Sequence, residues 1–309
     1  MAVYLVTGGA GFIGSNIVRE LLARGETVRV LDNISTGRRV NIENVLADIE
    51  LLEGDLRDAA LCRQAVQGAD YVIHQGAIPS VQRSVDDQLA SNEVNVDGTL
   101  NLLVAARDAG VQRLVFASSS SVYGDSPTLP KKEDMPSQPK SPYAVSKLAA
   151  EKYCQAFTEV YGLETVSLRY FNVFGPRQDP TSQYSAVIPL FIKAMLAGRS
   201  PTVHGDGLQS RDFTYVSNVV EANLLAATTP GVGGEVFNVA CNERYTLLDL
   251  IDALNEILGT QIKPSFGPAR PGDVKHSQAD ISRAQEMLAF EVQVDFIEGL
   301  RRTVEWYQD

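Results

Sequence analysis

The chain has few of the residues that build disulfide frameworks or metal centres. Its 309 residues include three cysteines and three histidines. The cysteines, Cys62, Cys154 and Cys241, show no C-x-x-C spacing, which predicts free buried thiols and a reducing, cytoplasmic location. The histidines lie too far apart in the sequence for metal-ligand spacing, so we expect no metal site.

Positive charge and long apolar runs are also scarce. Lysine and arginine total 27 against 38 acidic residues, which gives a net charge of −11. Nucleic acid and anionic membrane surfaces need basic patches, so neither is expected as the main partner. The apolar run at residues 3–6 follows no basic segment and is too short for a signal peptide or a membrane helix. An anionic small molecule stays compatible with this composition because a pocket can be locally basic.

Short β-branched runs alternate with longer helical patterns through the first half of the chain. Strands are predicted over residues 2–6, 27–31, 49–53, 71–74, 113–117 and 165–170, and helices over residues 12–24, 58–66, 93–109 and 142–161. This alternation predicts βαβ units in an α/β fold with a Rossmann-type, doubly wound parallel sheet.

The composition changes after residue 170. A loop is predicted over residues 172–184 and a turn over 204–210, with further helices at 187–196, 216–227 and 247–258. We expect a dinucleotide-binding domain formed by residues 1–170 together with about 214–242. A smaller mixed α/β substrate-binding domain would comprise about 171–213 and 243–309. A ligand would then lie at the carboxyl ends of the strands, beneath the smaller domain.

A glycine-rich turn follows the first predicted strand. Gly8, Gly11 and Gly14 have the spacing G-x-x-G-x-x-G and open a helical pattern. The free N–H groups and positive dipole of a helix start suit a dinucleotide pyrophosphate, and glycines let it approach the backbone. Asp32, at the end of the second strand, can accept hydrogen bonds from the adenosine ribose and repels a 2′-phosphate, which favours NAD over NADP.

Three further charged residues bear on this cofactor. Arg38 and Arg39 lie close to Asp32 in sequence and weaken the preference for NAD; we interpret them as part of a solvated face. Asp55 follows the third strand, where a carboxylate can either meet adenine or serve the start of the next helix. The sequence leaves these two roles for Asp55 open.

A second motif lies downstream. Residues 118–121 are four serines after the fifth strand, and Ser141 and Pro142 are suited to the N-cap and first position of a helix. Tyr143 and Lys147 are four residues apart, so they share one face of that helix. A nearby ammonium favours the phenolate, which makes a tyrosine usable as a base near neutral pH. A serine hydroxyl at the strand end could share the proton in transit.

Together these motifs resemble the extended short-chain dehydrogenase/reductase family, and within its nucleotide-sugar branch they are most similar to UDP-hexose 4-epimerases. The resemblance covers essentially the whole chain, through residues 7–14, Asp32, 118–124, 143–147, 169–176, 205–207, 211–213 and 270–274. It implies a tightly bound NAD that is recycled in place. It also implies that Tyr143 removes the proton of the sugar 4-hydroxyl as hydride leaves carbon 4, giving a transient 4-keto sugar. A homodimer formed through residues 93–109 and 142–161 is a further implication.

The resemblance implies roles for individual residues. Ser119, Tyr143 and Lys147 match the catalytic positions. The cofactor positions are Gly8, Gly11, Phe12, Ile13, Gly14, Asp32, Asn33, Ser35, Gly37, Asp55, Leu56, Gln75, Gly76, Ala77, Asn95, Ser118, Tyr143, Lys147 and Tyr170. The substrate positions are Pro79, Ser80, Ser119, Ser120, Tyr143, Asn172, Gln178, Ala186, Val187, Val203, Arg211, Arg270, Asp273 and Ser277. Among these, Arg211 and Arg270 would reach the diphosphate and Asp273 the uridine ribose.

Two local features separate this chain from its sister enzymes. Ser120 and Ser121 stand where the related 4,6-dehydratases carry Asp-Glu, and related decarboxylases tend to keep a glutamate at the second position. Ser277 stands where enzymes restricted to glucose and galactose carry tyrosine, so UDP-GlcNAc and UDP-GalNAc are expected substrates alongside UDP-Glc and UDP-Gal. The alternatives are a UDP-glucuronate 4-epimerase, a nucleotide-sugar dehydratase or decarboxylase, and a non-catalytic NAD-binding regulator. Gly76 departs from the alanine that is usual in the family.

Overall fold

Parallel strands joined by helices form the core of the computed structural model, which describes residues 1–181, 186–268 and 275–308. The strands are β1 (Val3–Thr7), β2 (Thr27–Asp32), β3 (Ile49–Glu53), β4 (Tyr71–His74), β5 (Arg113–Ser119), β6 (Glu164–Tyr170), β7 (Val173–Phe174), β8 (Thr202–His204), β9 (Ser210–Arg211), β10 (Thr214–Tyr215), β11 (Val236–Val239), β12 (Tyr245–Thr246) and β13 (Ser265–Gly267). The helices are α1 (Phe12–Ala23), α2 (Ala59–Ala65), α3 (Val81–Asp86), α4 (Gln88–Asn92), α5 (Gly98–Ala109), α6 (Pro142–Tyr161), α7 (Val187–Leu196), α8 (Val216–Thr228), α9 (Leu247–Leu258), α10 (Ser282–Leu288) and α11 (Phe296–Gln308).

Seven of the strands form one parallel sheet in the order β3-β2-β1-β4-β5-β6-β11. The predicted Rossmann-type sheet is therefore confirmed, and each of the six predicted strands ends within two residues of its predicted bounds. The strand order reverses at β1, which has β2 on one side and β4 on the other. In such sheets the crevice outside the carboxyl ends at the reversal is the place where ligands bind.

Both faces of the sheet are covered by helices. Side chains alternate along β1, so Leu5 packs into one apolar cluster with α2, α5 and α6, and Val6 packs into another with α1 and α8. A parallel sheet buried on both faces reads as nearly continuous apolar runs, which is why these strands were visible in the sequence. Helix α6 is bounded by Ser141, whose Oγ accepts a hydrogen bond from the Ala144 N–H, and by Gly162 at a φ of 72°.

The remaining elements form a smaller layer over the carboxyl ends of the strands. Helices α7, α9 and α11 pack together, and three short strand pairs, β7–β10, β8–β13 and β9–β12, lie beside them. The predicted loop over 172–184 is interrupted at Val173–Phe174, which forms β7, whereas residues 175–181 contain no helix or strand. Burial of the Phe174 ring against Phe213 and Phe296 holds this strand in place.

The predicted helix over 93–109 is also interrupted. Helix α4 runs into a π-helical turn at Glu93–Asp97 before α5 begins. Helices α3, α4, α10 and α11 were not predicted. None of the helices within the described ranges combines the length and apolar character that a membrane crossing needs.

Candidate functional site

The glycine turn is packed too tightly for side chains. A Cβ on Gly14 would lie 2.1 Å from the carbonyl oxygen of Gly8, and a Cβ on Gly8, which has a φ of 70°, would lie 2.7 Å from the amide nitrogen of Gly76. Gly11 is the N-cap of α1, and the first turn of that helix contains no acidic residue. The positive end of α1 is therefore available to an anion, as a dinucleotide pyrophosphate requires.

Asp32 anchors this turn to the end of β2. Its Oδ2 accepts a hydrogen bond from the Ala10 N–H at 2.8 Å, and its Oδ1 accepts one from the Ile34 N–H at 2.7 Å. Burial raises the pKa of Asp32, and the two backbone hydrogen bonds oppose that rise. A carboxylate oxygen can accept more than one hydrogen bond, so both oxygens keep capacity for ribose hydroxyls.

Arg38 and Arg39 are exposed, and each also forms an ion pair. Arg38 lies 3.7 Å from the carboxylate of Asp179, and Arg39 pairs with Glu53. The Arg38–Asp179 bridge joins the loop after β2 to the loop after β7. Arg38 and Arg39 are therefore part of a solvated face, as predicted, and each also pairs with a carboxylate.

A second tie lies beside that bridge and joins α1 to the same loop after β7. The Asn16 amide donates to the Pro176 carbonyl at 3.2 Å, and Arg177 donates to the Asn16 carbonyl oxygen at 2.8 Å. The loop after β7 is thus fixed at two places to the elements that surround the glycine turn.

The structure excludes one of the two roles left open for Asp55. Its carboxylate accepts hydrogen bonds from Arg57 at 2.9 Å and from the Asn33 amide at 2.8 Å. The hydrogen bonds from Arg57 lower the pKa of Asp55 to about 2. Asp58 is the residue that caps α2, accepting from the Ala60 N–H at 2.8 Å. Asp55 is consequently not a helix cap, and it lies on a cavity wall.

The structure contains two neighbouring cavities. The larger cavity has a volume of about 580 Å³ and lies at the carboxyl ends of β1, β2, β4 and β5. Its walls include almost all the predicted cofactor positions: Gly8, Gly11, Phe12, Ile13, Gly14, Asp32, Asn33, Ser35, Gly37, Asp55, Leu56, Gln75, Gly76, Ala77, Ser118, Tyr143, Lys147 and Tyr170. The sequence analysis did not identify Arg57, Arg83 or Asp179, which also line it.

Asn95 is the exception among the predicted cofactor positions. It is buried, and its side chain accepts from the Ile78 N–H at 2.8 Å and donates to Ser146 Oγ at 3.1 Å. Asn95 therefore supports the cavity wall through Ile78, which lines the cavity, rather than facing the cavity itself. Its position at the π-helical turn, which the sequence did not predict, turns it toward α6.

The departure from alanine at Gly76 has a steric reason. A Cβ there would lie 2.8 Å from Leu56 Cδ1 and 3.1 Å from Thr7 Oγ1. Next to it, the Gln75 amide donates to the Tyr170 hydroxyl at 2.9 Å and to Asn223 at 3.1 Å. Glycine at position 76 thus lets Leu56 pack against this wall.

The predicted catalytic residues meet where β5 ends and α6 begins. Burial of the phenol raises the pKa of Tyr143, and a side-chain hydrogen bond with Ser119 opposes that rise without cancelling it. The Tyr143 N–H also donates to Ser84 Oγ at 3.0 Å, which fixes the start of α6 against α3.

Lys147 is one helical turn further along and is only 4% exposed. Its Nζ donates to the Ala117 carbonyl at 2.8 Å and lies 4.9 Å from the centroid of the Phe116 ring. Burial lowers the pKa of Lys147 to about 8. Neighbouring Ser118 also lines the cavity, but its hydroxyl donates to Glu151 at 2.7 Å.

A smaller cavity of about 270 Å³ adjoins the larger one, since Ala186 lines both. Four predicted substrate positions, Asn172, Ala186, Val187 and Arg211, lie on its walls. Three others, Pro79, Ser80 and Gln178, line the larger cavity. The smaller cavity is also walled by residues that the sequence analysis missed: Phe174, Phe191, Thr202, His204, Gln209, Phe213 and Leu247.

Val203, a predicted substrate position, does not line either cavity. It is fully buried in the apolar core, because side chains alternate along β8 and the faces of Thr202 and His204 are the ones turned to the cavity. Ser277 donates its N–H to the Ser210 carbonyl at 3.0 Å and, like Ser119 and Ser120, lies off both cavity walls as the described residues define them. Arg270 and Asp273 lie outside the described residues.

The chain belongs to the NAD dependent epimerase/dehydratase family, whose profile matches residues 4–240. A UDP-glucose 4-epimerase of Mycolicibacterium smegmatis is 41% identical over 99% of this chain and 98% of its own length. A UDP-glucuronate 4-epimerase of Thermodesulfobacterium geofontis is 33% identical over 100% of this chain and 97% of its own length.

Solved structures show the same likeness. A UDP-N-acetylglucosamine 4-epimerase from Methanobrevibacter ruminantium, in complex with UDP-N-acetylmuramic acid, superposes with a TM-score of 0.95 at 42% identity, covering 99% of this chain and 98% of that one. A UDP-glucose 4-epimerase from Thermus thermophilus, in complex with NAD, gives 0.89 at 40% identity, with 99% of both chains covered. The family resemblance predicted from the motifs is confirmed.

Proposed function

We propose that this chain is an NAD-dependent UDP-hexose 4-epimerase that interconverts UDP-GlcNAc with UDP-GalNAc and UDP-Glc with UDP-Gal through a transient 4-keto sugar. One observation carries the proposal. Tyr143 and Lys147 share the larger cavity with the glycine cradle, and Ala186 joins that cavity to a smaller one that bears Arg211. A dinucleotide and a sugar diphosphate would thus meet at the Tyr143 hydroxyl.

The cofactor and the side chains of this site would each have a separate role in the reaction. Bound NAD would supply reversible acceptance of hydride. The Tyr143 hydroxyl, joined to Ser119, would take the proton of the sugar 4-hydroxyl and return it. Arg211 would offer its guanidinium to the diphosphate, for which arginine is well suited. Ser120 and Ser121 provide hydroxyls rather than carboxyl groups, so an acid/base pair for eliminating water is missing at these two positions.

The fold supports the two-domain division expected from the sequence. Strand β11 pairs with β6 and helix α8 packs on α1, which favours grouping about 214–242 with residues 1–170. Residues 171–213 and 243–309 would then form the sugar-binding part. We also propose a cytoplasmic location, which the three buried, free cysteines support.

A UDP-glucuronate 4-epimerase is the second candidate, and one residue favours it. Arg83 lines the larger cavity together with Pro79, Ser80 and Tyr143. A guanidinium near the reacting sugar could bind the carboxylate of a uronate. The two candidates share their chemistry at carbon 4. A uronate carries a carboxylate at carbon 5 where the hexoses and N-acetylhexosamines carry a hydroxymethyl group.

Substrate conversion separates these possibilities. The protein as isolated is incubated with UDP-GlcNAc, UDP-Glc or UDP-GlcA, and products are resolved by NMR and mass spectrometry. We expect the 4-epimers of the first two, while conversion of UDP-GlcA alone would favour the second candidate. Loss of water or carbon dioxide would indicate a dehydratase or decarboxylase. Firm NAD binding with no product from any substrate would contradict the proposal and favour a regulator.

We further propose that the protein is a homodimer. Apolar side chains are exposed on the neighbouring helices α3, α4 and α6, namely Val85, Leu89, Val145, Tyr153 and Val160. Apolar surface gathered on adjacent helices is typical of an association face, and a second copy would cover it with the same helices. The proposed face combines α3 and α4 with the expected α6, whereas residues 93–109, which were also expected there, contribute none of these side chains.

Sedimentation equilibrium tests the dimer. Leu89, which is 76% exposed, sits in this face, so Leu89→Asp should shift the protein toward the monomer mass because a buried carboxylate opposes association. Ile297→Asp is a matched control, since Ile297 is an exposed apolar residue on α11. A wild-type protein that sediments as a monomer would refute the proposal.

A further inference from the structure

A buried ion pair lies directly beneath the proposed active site. Arg169 on β6 is 3% exposed and Glu151 on α6 is fully buried. The guanidinium donates from Nη2 to Glu151 Oε1 at 2.7 Å and from Nε to Oε2 at 3.0 Å. Ser118 Oγ adds a third hydrogen bond, to Oε2 at 2.7 Å. Both carboxylate oxygens are therefore engaged by groups from the sheet.

The position of Glu151 on α6 connects its pairing with Arg169 to the residues of the proposed active site. Glu151 follows Lys147 by four residues, and Lys147 follows Tyr143 by four, so the three lie along one face of α6. A lysine and a glutamate four residues apart can pair on one helix face, and burial strengthens the attraction between their charges. In this structure the Lys147 ammonium instead donates to Ala117 and lines the larger cavity.

We propose that Arg169 is a positioning residue: it holds both oxygens of Glu151 so that the Lys147 ammonium stays in the larger cavity rather than pairing with Glu151. The inference rests on the proposed function for its meaning, since Lys147 would serve there beside the dinucleotide and Tyr143. Arginine fits this task because its planar fork engages a carboxylate through two donors, whereas a lysine could engage only one oxygen.

Among the described groups around Lys147, Glu151 is the one carboxylate that could compete for the Lys147 ammonium. The charged or titratable groups facing this unit are Tyr143, Lys147 and Cys154 on α6, His74 on β4, Arg169 on β6, Tyr123 after β5 and Glu133 in the following loop. His74 is neutral, because burial and the charge of Lys147 lower its pKa to about 3. Glu133 accepts from the Asn238 N–H at 2.8 Å, its backbone carbonyl accepts from Arg169 at 3.3 Å, and it does not line the larger cavity.

A pair of variants tests this idea by rescue. Arg169→Met should free Glu151 to capture Lys147, lowering NAD affinity and kcat by about tenfold or more. Adding Glu151→Gln should restore most of both, because the competing carboxylate is then gone. NAD affinity is measured on stripped protein without any sugar substrate, so it reports on Lys147 even if the epimerase proposal fails.

The pH dependence of NAD binding gives a readout that a purely structural role would not move. In Arg169→Met, pairing with Glu151 stabilises the Lys147 ammonium, so the pH at which NAD affinity is lost should rise by about one unit above the wild-type value. The double variant should return to the wild-type profile. If Arg169→Met does not fold, Arg169→Lys with and without Glu151→Gln replaces it, with a smaller loss and the same rescue.

Arg113→Met is the matched control. Arg113 is also buried on the sheet and donates to a glutamate, Glu164, at 2.9 Å, but it lies at the amino end of β5. Its loss should lower stability and leave NAD affinity and its pH profile unchanged. The proposal is overturned if the double variant binds NAD no better than Arg169→Met, or if Arg169→Met behaves like Arg113→Met.

Discussion

Tyr143→Phe lowers kcat by roughly 10² to 10⁴-fold, the usual contribution of a positioned general acid or base, while NAD stays bound. The phenyl ring keeps the packing of Tyr143 at the start of α6, and only the hydroxyl that meets Ser119 is lost. With that hydroxyl gone, the sugar 4-hydroxyl has no group at this position to accept its proton. Steady-state conversion of UDP-GlcNAc and UDP-Glc, with NAD content measured on the same sample, checks this result.

Tyr153→Phe is the control for Tyr143→Phe. Tyr153 lies on the same helix, is 40% exposed and belongs to the proposed dimer face rather than to a cavity wall. The same change of one hydroxyl should therefore leave kcat close to the wild-type value. A Tyr143→Phe protein with an undiminished kcat would mean that another group carries the proton.

Gly14→Ala weakens NAD binding by about 100-fold or more, because a contact of 2.1 Å with the Gly8 carbonyl cannot be relieved without moving backbone. The turn would have to open, and the first N–H groups of α1 would no longer point at the pyrophosphate. Equilibrium titration of the stripped protein with NAD measures the loss. Activity should fall with NAD occupancy, and saturating NAD should recover part of it.

Gly25→Ala separates this effect from the general cost of replacing glycine. Gly25 follows the other end of α1, has a φ of 78°, and has nothing within 4 Å of its added Cβ. Alanine there costs about 1 kcal/mol in unfolding free energy through backbone strain and should leave NAD affinity unchanged. An equal loss of NAD affinity in both variants would show that the tight contact at Gly14 is not the cause.

The sheet was predictable because its strands are buried on both faces and read as apolar runs. Helices with clear ends were predictable for a local reason, as at α6, where Ser141, Pro142 and Gly162 mark the limits. The short strand β7 was not predictable, because two residues are too few to show the alternation of apolar and polar side chains that identifies a strand. It exists because distant aromatic rings bury Phe174.

The two cavities also differ in how far their lining residues could be predicted from the sequence. The larger one follows motifs whose residues are close in sequence, so nearly all its positions could be named in advance. The smaller one is built from side chains brought together by α7, α9 and short strands, and the sequence does not show which of them meet. At β8, alternation around the buried Val203 could have identified Thr202 and His204, had that strand been recognised.

The ion pair between Arg38 and Asp179 bears on how strongly the activity would depend on the nicotinamide pool outside the protein. Together with the contacts that join Asn16 to Pro176 and Arg177, it holds the loop after β7 against the elements that surround the glycine turn, so we expect a bound dinucleotide to be released slowly. Such a protein would carry its oxidant as a permanent part. Its turnover would then be insulated from the ratio of oxidised to reduced nicotinamide outside, and sugar conversion could proceed unchanged as the redox state of the surroundings varies.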